Sequence, residues 1–443
     1  MSYPRRAYRA AAAALFGLTL LCGCAAIEAG ADSPPRIREE PFVTGTWRVT
    51  GTKVPALSVF RSTVETYMKR GGIGAGALAV TVEGRLVLAQ GYTLDSDKGY
   101  AVSPHSRFRI ASLSKPLTAT AVLALVQERE LRLNTPVAEL LAFEPPAAQR
   151  RDPRLDDITV RHLLRHRGGW SVAELGFDPM FADHRIARAL DAGLPISQEQ
   201  IIRYMSGEPL SFDPGTRAAY SNFGYMLLGR VIEAVTGLPY ERYVERTVLA
   251  PIGMNDTQLG RTLPEHRARG EVRYESDFRG PSVFVESADA VPMPYGGWNL
   301  ENMDAHGGWI SSVLDMARFL ARFHDPETHP VLSERSIKLM FSAATPRADA
   351  EESYGMGWRL HRPAERADGA LRGFEAWHAG SLDGSLALMV RRPDGVGWIA
   401  LFNRRDSRVD RIGESYWEID EMLEEAADAV DGWPAHDAFA ERP

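Results

Sequence analysis

The chain has 443 residues, a formal net charge of −7, 44% hydrophobic and 25% charged residues, a composition typical of a globular protein with one large core or two smaller ones. No basic run follows the N-terminus, so the charge pattern of a nucleic-acid binder is missing and nucleic acid is excluded as a partner. Only five lysines stand against 46 arginines, which makes the surroundings of each lysine worth reading.

Residues 1–24 read as a signal peptide. M-S-Y-P-R-R-A-Y-R is a basic head, and the apolar run that follows is too short for a comfortable membrane span. Leu21-Cys22-Gly23-Cys24 resembles the bacterial lipoprotein cleavage box. On that reading Cys24 is the lipidated first residue of an exported, periplasmic or cell-envelope protein held to the membrane, and no disulfide can form in the mature chain. Residues 25–45 are polar and proline-bearing, a flexible tether. One domain is expected over 46–430, with a C-terminal tail at 431–443.

Within the domain, a helical period over 54–68 puts Leu57, Phe60, Val64 and Met68 on one face. G-A-L-A-V-T-V and R-L-V-L-A-Q-G-Y then predict two strands that turn at Glu83-Gly84. Residues 115–129, rich in Ala, Leu and Val and free of glycine, predict a buried helix. The middle, about 131–300, reads as mostly helical, broken by Gly and Pro. Strands return in F-E-A-W-H-A-G, S-L-A-L-M-V and V-G-W-I-A-L-F-N, with a turn at Pro393-Asp394-Gly395. A closing helix over 412–427 carries Glu418, Glu421, Glu424 and Glu425, expected to form a solvated face. Strands from both chain ends with helices between them imply an α/β (α+β) fold: one antiparallel sheet completed by both ends, flanked by helices, with an inserted helical region.

Three short patterns carry chemistry. Ser112 stands three places before Lys115, one helical turn apart on one face. A serine hydroxyl needs a base to take its proton, and a buried lysine can be that base because desolvation favours its neutral form. Five lysines at about 7% serine usage match this spacing by chance roughly one time in three, so the pattern needs company. Y-S-N at 220–222 offers Tyr220 to relay a proton and Asn222 to bind a carbonyl while restraining the lysine; a lone Y-x-N is ordinarily a turn. W-H-A-G at 377–380 offers a histidine that titrates near neutrality beside a small Ala-Gly pair; a lone histidine is ordinarily structural. His162 and His166 have the i, i+4 spacing of a zinc pair, but no Glu follows His162. No metal and no cofactor is expected.

In this order the three patterns resemble the serine β-lactamase and penicillin-binding-protein superfamily, most closely its class C-like branch of β-lactamases, DD-peptidases and esterases. The resemblance covers roughly residues 55–425. It includes F-R-I-A-S-L-S-K (108–115), I-T-V-R-H-L-L-R-H (158–166), the stretch 220–240, P-I-G-M-N-D-T (251–257), G-G-W-I-S-S-V-L-D-M-A-R-F (307–319) and Y-G-M-G-W (354–358). It implies a β-lactamase/DD-peptidase-like fold, with Ser112 as acylated nucleophile, Lys115 as proton acceptor, and Tyr220 sharing the general-base and acid work. It also implies that Asn222 binds the substrate amide. His378, Ala379 and Gly380 match the strand triad usually written Lys-Thr-Gly, and the backbone N–H groups of Ser112 and Ser381 form the oxyanion hole, each worth about 3 kcal/mol in the transition state.

Two departures narrow the substrate. His378 replaces a permanent cation and Ala379 removes a hydroxyl that helps bind a carboxylate, so β-lactam hydrolysis is disfavoured. R-H-R-G-G-W at 165–170 also replaces a threonine- and serine-rich stretch. The expected activity is hydrolysis of small esters or amides, or of peptidoglycan-type D-amino-acid peptides. A true β-lactamase and a non-catalytic peptidoglycan- or ligand-binding member of the same fold stay open as alternatives, and the oligomeric state is left unassigned.

Overall fold

The computed structural model describes residues 47–94, 101–147, 149–342, 352–361, 374–405 and 415–439. The expected signal peptide, Cys24 and tether lie outside the described residues. Eight strands form the main sheet: β1 (Trp47–Gly51), β2 (Ala75–Val82), β3 (Arg85–Leu94), β4 (Glu352–Tyr354), β5 (Arg359–His361), β6 (Glu375–Leu382), β7 (Ser385–Arg391) and β8 (Val396–Phe402). Their order is β1-β3-β2-β8-β7-β6-β5-β4, and every pairing is antiparallel. Ala79 of β2 faces Ile399 of β8, so the two ends of the chain do meet in one sheet. The β2–β3 turn falls where the sequence puts it. Glu83 (φ 50°) and Gly84 (φ 78°) are both left-handed, the combination whose twist suits a two-residue hairpin.

Both faces of the sheet are covered. Helices α1 (Ser58–Gly71) and α5 (Ser415–Asp428) cover one face, where Phe60, Val64, Met68, Ile419 and Leu423 cluster with Leu78, Val80, Trp398 and Phe402. On the other face Ala77, Ala79, Met389 and Ile399 join the core shared by α2 (Ser114–Gln127), α3 (Asn222–Thr236) and α4 (Val313–Ala321). All residues of α2 from Ser114 to Leu125 are buried, because this helix runs between the sheet and the helical region and keeps no polar side.

Three expectations change. The closing helix is not solvated along its acidic face: Glu424 is buried, and buried Asp420 accepts from Trp398 Nε1 at 3.2 Å. Packing against the sheet turns these carboxylates inward, and Glu425 alone of the four glutamates is exposed. The middle region is helical only as far as Ile252; from 253 to 300 it holds 3-10 turns and two-residue strands. Prolines 281, 292 and 294 and glycines 280, 296 and 297 break the helical ladder there. The guanidinium of buried Arg109 organises this segment instead, donating to the carbonyls of Pro294 (2.7 Å), Arg261 (2.8 Å) and Thr262 (3.1 Å) and lying 4.2 Å from the Tyr274 ring centroid. Finally, residues 431–439 of the expected tail return to β3: Leu86 N–H donates to Asp437 Oδ1 (3.0 Å), and Ala438 N–H donates to the Leu86 carbonyl (2.9 Å). No helix among the described residues is long and apolar enough to cross a membrane.

Candidate active site

Ser112 sits in a one-turn 3-10 helix, Ala111–Leu113, that runs directly into α2. Three strands hold this turn. Phe108–Arg109 pairs with Trp309–Ser311, and Ile110 N–H donates to the Trp309 carbonyl at 3.1 Å. On the other side β6 comes so close that a Cβ on Gly380 would lie 2.2 Å from the Ile110 oxygen and 2.9 Å from the Ser112 nitrogen. Only glycine allows that approach. Ala111 has φ +45°, an uncommon backbone for alanine that the surrounding strands impose on the residue before the serine.

Lys115 is completely buried. Its Nζ lies 2.9 Å from Ser112 Oγ, 2.9 Å from Asn222 Oδ1 and 3.0 Å from the His306 carbonyl oxygen. Burial pushes its pKa well below the ordinary value; Asp178 opposes this and Arg359 adds to it. A neutral amine has two hydrogens and one lone pair. The amide and carbonyl oxygens can only accept, so they take both hydrogens, and the lone pair is left for the Ser112 hydroxyl. This is the geometry of a base awaiting the serine proton.

The Y-S-N stretch is the start of α3. Ser221 caps the helix, its Oγ accepting from Gly224 N–H at 3.1 Å, which places Asn222 on the first turn and Tyr220 just outside it. The Asn222 amide is oriented from behind, since Nδ2 donates to Asp178 Oδ2 at 2.7 Å. Asp178 is buried, and desolvation raises its pKa against the pull of Met180 N–H, Asn222 and Lys115. Tyr220 places its ring 4.7 Å from Lys115 Nζ. Burial raises its pKa, and the Ser112 side chain acts in the opposite direction.

One pocket joins these groups. It is lined by Ser112, Tyr220, Asn222, His306, Ala379 and Ser381 together with the apolar Phe181, Met303, Leu382 and Tyr416. The edge of β6 opens onto it because β5 pairs only with Glu375–Trp377. Ser112, Tyr220, Asn222, Ala379, Gly380 and Ser381 are therefore brought together as the sequence suggests. His378 behaves differently from a substrate-binding side chain. It is buried and absent from the pocket wall, with Nδ1 2.7 Å from the Ala379 oxygen and Nε2 3.0 Å from the Tyr354 hydroxyl. Strand alternation puts His378 on the face of β6 that Ala376 and Gly380 share, toward the core that holds α2, and there Tyr354 and Tyr220 cover its ring. Burial, reinforced by Lys115 and Arg359, pushes its pKa well below the ordinary value.

Sequence reasoning missed several neighbours. His166, set aside as half of a zinc pair, is buried with φ +54°. It accepts Ser221 N–H at Nδ1 (3.1 Å), and its ring packs 4.3 Å from Tyr220 and 4.4 Å from Tyr354. His162 caps its own helix instead, its Nδ1 accepting from Thr159 N–H at 3.3 Å. Asp178 and His306 gave no signal, because each acts through one contact made by a distant segment. The pairing of Tyr354 with His378 could be sought only once Y-G-M-G-W was placed on the strands beside β6.

A protein-family model described as Beta-lactamase matches residues 60–420. Penicillin-binding protein 4 of Amycolatopsis lactamdurans is 29% identical over 316 residues, 68% of this chain and 76% of that protein. Esterase EstB of Burkholderia gladioli is 33% identical over 226 residues, 50% of this chain and 55% of the esterase, so that match spans little more than half of the relative. Among solved structures, the octameric penicillin-binding protein homologue from Pyrococcus abyssi aligns with a TM-score of 0.60 at 25% identity, over 83% of this chain and 76% of that one.

Proposed function

The chain belongs to the Beta-lactamase family, and from that premise we propose that it is a serine hydrolase acting on small esters or amides through an acyl-enzyme on Ser112. The observation that carries the reading is the threefold setting of Lys115 Nζ, which supplies a neutral base 2.9 Å from the serine hydroxyl. Ser112 Oγ attacks the substrate carbonyl while its proton passes to Lys115. The carbonyl oxygen, now negative, is held by the N–H groups of Ser112 and Ser381. The bond to the leaving group then breaks as Tyr220 and Lys115 return the proton to the departing oxygen or nitrogen. Water, deprotonated by the same pair, releases the acid and restores the serine.

The pocket supports an uncharged substrate. Among the described residues its lining includes no lysine, arginine or carboxylate, so an anionic β-lactam or free peptide carboxylate would be desolvated without a paired cation from them. A binding module would not need a lone pair aimed at a serine. Export and attachment to the cell envelope through Cys24 are part of the same reading, supported by the N-terminal sequence.

The test compares purified protein with its Ser112→Ala variant on a short-chain nitrophenyl ester and a chromogenic cephalosporin. Ester turnover is expected to fall at least about 10³-fold in the variant, with an acyl adduct on Ser112 detected by mass in the wild type. Ester turnover that survives the substitution refutes the nucleophile. Cephalosporin turnover faster than ester turnover refutes the substrate class.

A further inference from the structure

We propose that Tyr354 is a positioning residue for the reaction, which, through the imidazole of His378, fixes the backbone edge of β6 that receives the substrate. The inference rests on the hydrolase reading above and adds a residue remote from the reacting atoms.

His378 Nδ1 lies 2.7 Å from the Ala379 carbonyl oxygen, which can only accept, so Nδ1 carries the hydrogen. Burial keeps the ring neutral, so Nε2 carries a lone pair. The group 3.0 Å from it is the Tyr354 hydroxyl, which therefore donates. The Tyr225 hydroxyl also interacts with that of Tyr354, but it donates its own hydrogen to the Leu164 carbonyl at 2.8 Å and offers Tyr354 only a phenol oxygen, a weaker acceptor than the imidazole nitrogen. One tautomer satisfies both bonds, and Tyr354 selects it.

The consequence reaches the pocket through the chain itself. Ala379 and Gly380 share a planar peptide, so holding the Ala379 oxygen sets the tilt of that plane. Ser381, whose N–H is the proposed oxyanion donor, follows directly. Among the described residues this stretch of β6 has β7 on one side and no strand on the pocket side, so it lacks the second ladder that would otherwise hold it. The His378 bond takes that part. Tyr354 itself is braced: its ring packs edge-on 4.4 Å from His166, which packs 4.3 Å from Tyr220. Removing the hydroxyl while keeping the ring leaves this packing in place.

The experiment uses Tyr354→Phe, His378→Asn, His378→Gln and the double variant Tyr354→Phe/His378→Asn. Ester kinetics are combined with NMR of ¹⁵N-histidine-labelled protein, in which the His378 signals are those missing from His378→Asn. The wild type should show His378 protonated at Nδ1, and Tyr354→Phe should replace this with mixed tautomers. The kcat of Tyr354→Phe should fall about tenfold, with KM within twofold, as for a transition-state contact set through one hydrogen bond. Asparagine can place an N–H where Nδ1 was, and glutamine cannot, so His378→Asn should outperform His378→Gln. Adding Tyr354→Phe to His378→Asn should cost nothing further. An unchanged tautomer and kcat in Tyr354→Phe, multiplicative losses in the double variant, or the reverse Asn/Gln order would each overturn the proposal. Absence of ester turnover in the wild type would sink the hydrolase reading, and the tautomer comparison would then judge the Tyr354–His378 link alone.

Discussion

Gly380→Ala is the sharpest probe of how this site is built. The backbone of Gly380 is not in the left-handed region, so alanine meets no strain of its own and the whole effect comes from what its methyl touches. A Cβ there would lie 2.2 Å from the Ile110 oxygen, 2.9 Å from the Ser112 nitrogen and 3.1 Å from Ala111 Cβ. Two of the three are backbone atoms of the nucleophile turn and cannot rotate away. Carbon–oxygen contact requires roughly 3.2 Å or more, so β6 and the turn must separate by about 1 Å. Overpacking of that size costs about 1–3 kcal/mol of stability. The catalytic loss should be larger, because a displacement of about 1 Å between nucleophile and oxyanion donors costs about 100-fold in rate. Circular dichroism should show a folded protein with a lowered melting midpoint, and kcat/KM for the nitrophenyl ester should fall about 100-fold, mostly in kcat. Wild-type turnover in Gly380→Ala would refute the claim that the Ser112 and Ser381 N–H groups form one rigid unit.

Lys115→Met should abolish ester turnover, by at least about 10³-fold, and should change the pH dependence of stability. Because the folded pKa lies below the unfolded one, the unfolded chain binds the extra proton; wild-type stability should therefore rise relative to Lys115→Met as pH goes from 7 toward about 10 in denaturant titrations. Asp178→Asn should lower kcat about tenfold by freeing the Asn222 amide. It should also move the acid limb of kcat/KM to lower pH, because the lost carboxylate had been holding the Lys115 pKa up. Cys24→Ser should shift the full-length protein from the membrane to the soluble fraction of cells; unchanged membrane association would remove the lipid-anchor reading.

The parts of the structure legible in the sequence were those decided locally. The Glu83-Gly84 hairpin, the largely buried helix after Ser112 and the three C-terminal strands each announce themselves by period, composition or turn residues. Ser112, Lys115, Tyr220 and Asn222 were legible because motif spacing survives as geometry within a helix turn or a cap. What the sequence hid depended on tertiary contact. Segment 253–300 takes its shape from Arg109, which lies 152 and 185 positions before the carbonyls of Arg261 and Pro294 that it holds, and no local pattern marks it. The inward-facing Asp420 and Glu424 look solvated until Trp398 is known to lie beneath them. His378 could be placed on a strand by inspection, but the side of the strand it occupies follows from register, and one residue of register reverses it.

The groups around Ser112 share one electrostatic trend. Burial lowers the pKa of Lys115, His166, His306 and His378 and raises that of Asp178, Tyr220 and Tyr354. Each is pushed toward its neutral form. Desolvation thus creates the base without a permanent charge among the described residues that line the pocket, and the Arg359 guanidinium stands outside that lining, 6.0 Å from the Tyr220 ring centroid. In so weakly polarisable a setting two backbone N–H donors act strongly on a developing oxyanion, whereas a substrate that arrives already charged loses its water without compensation. The His378 substitution belongs to this pattern. A neutral histidine held by Tyr354 fits the same trend, since it adds no charge beside the pocket.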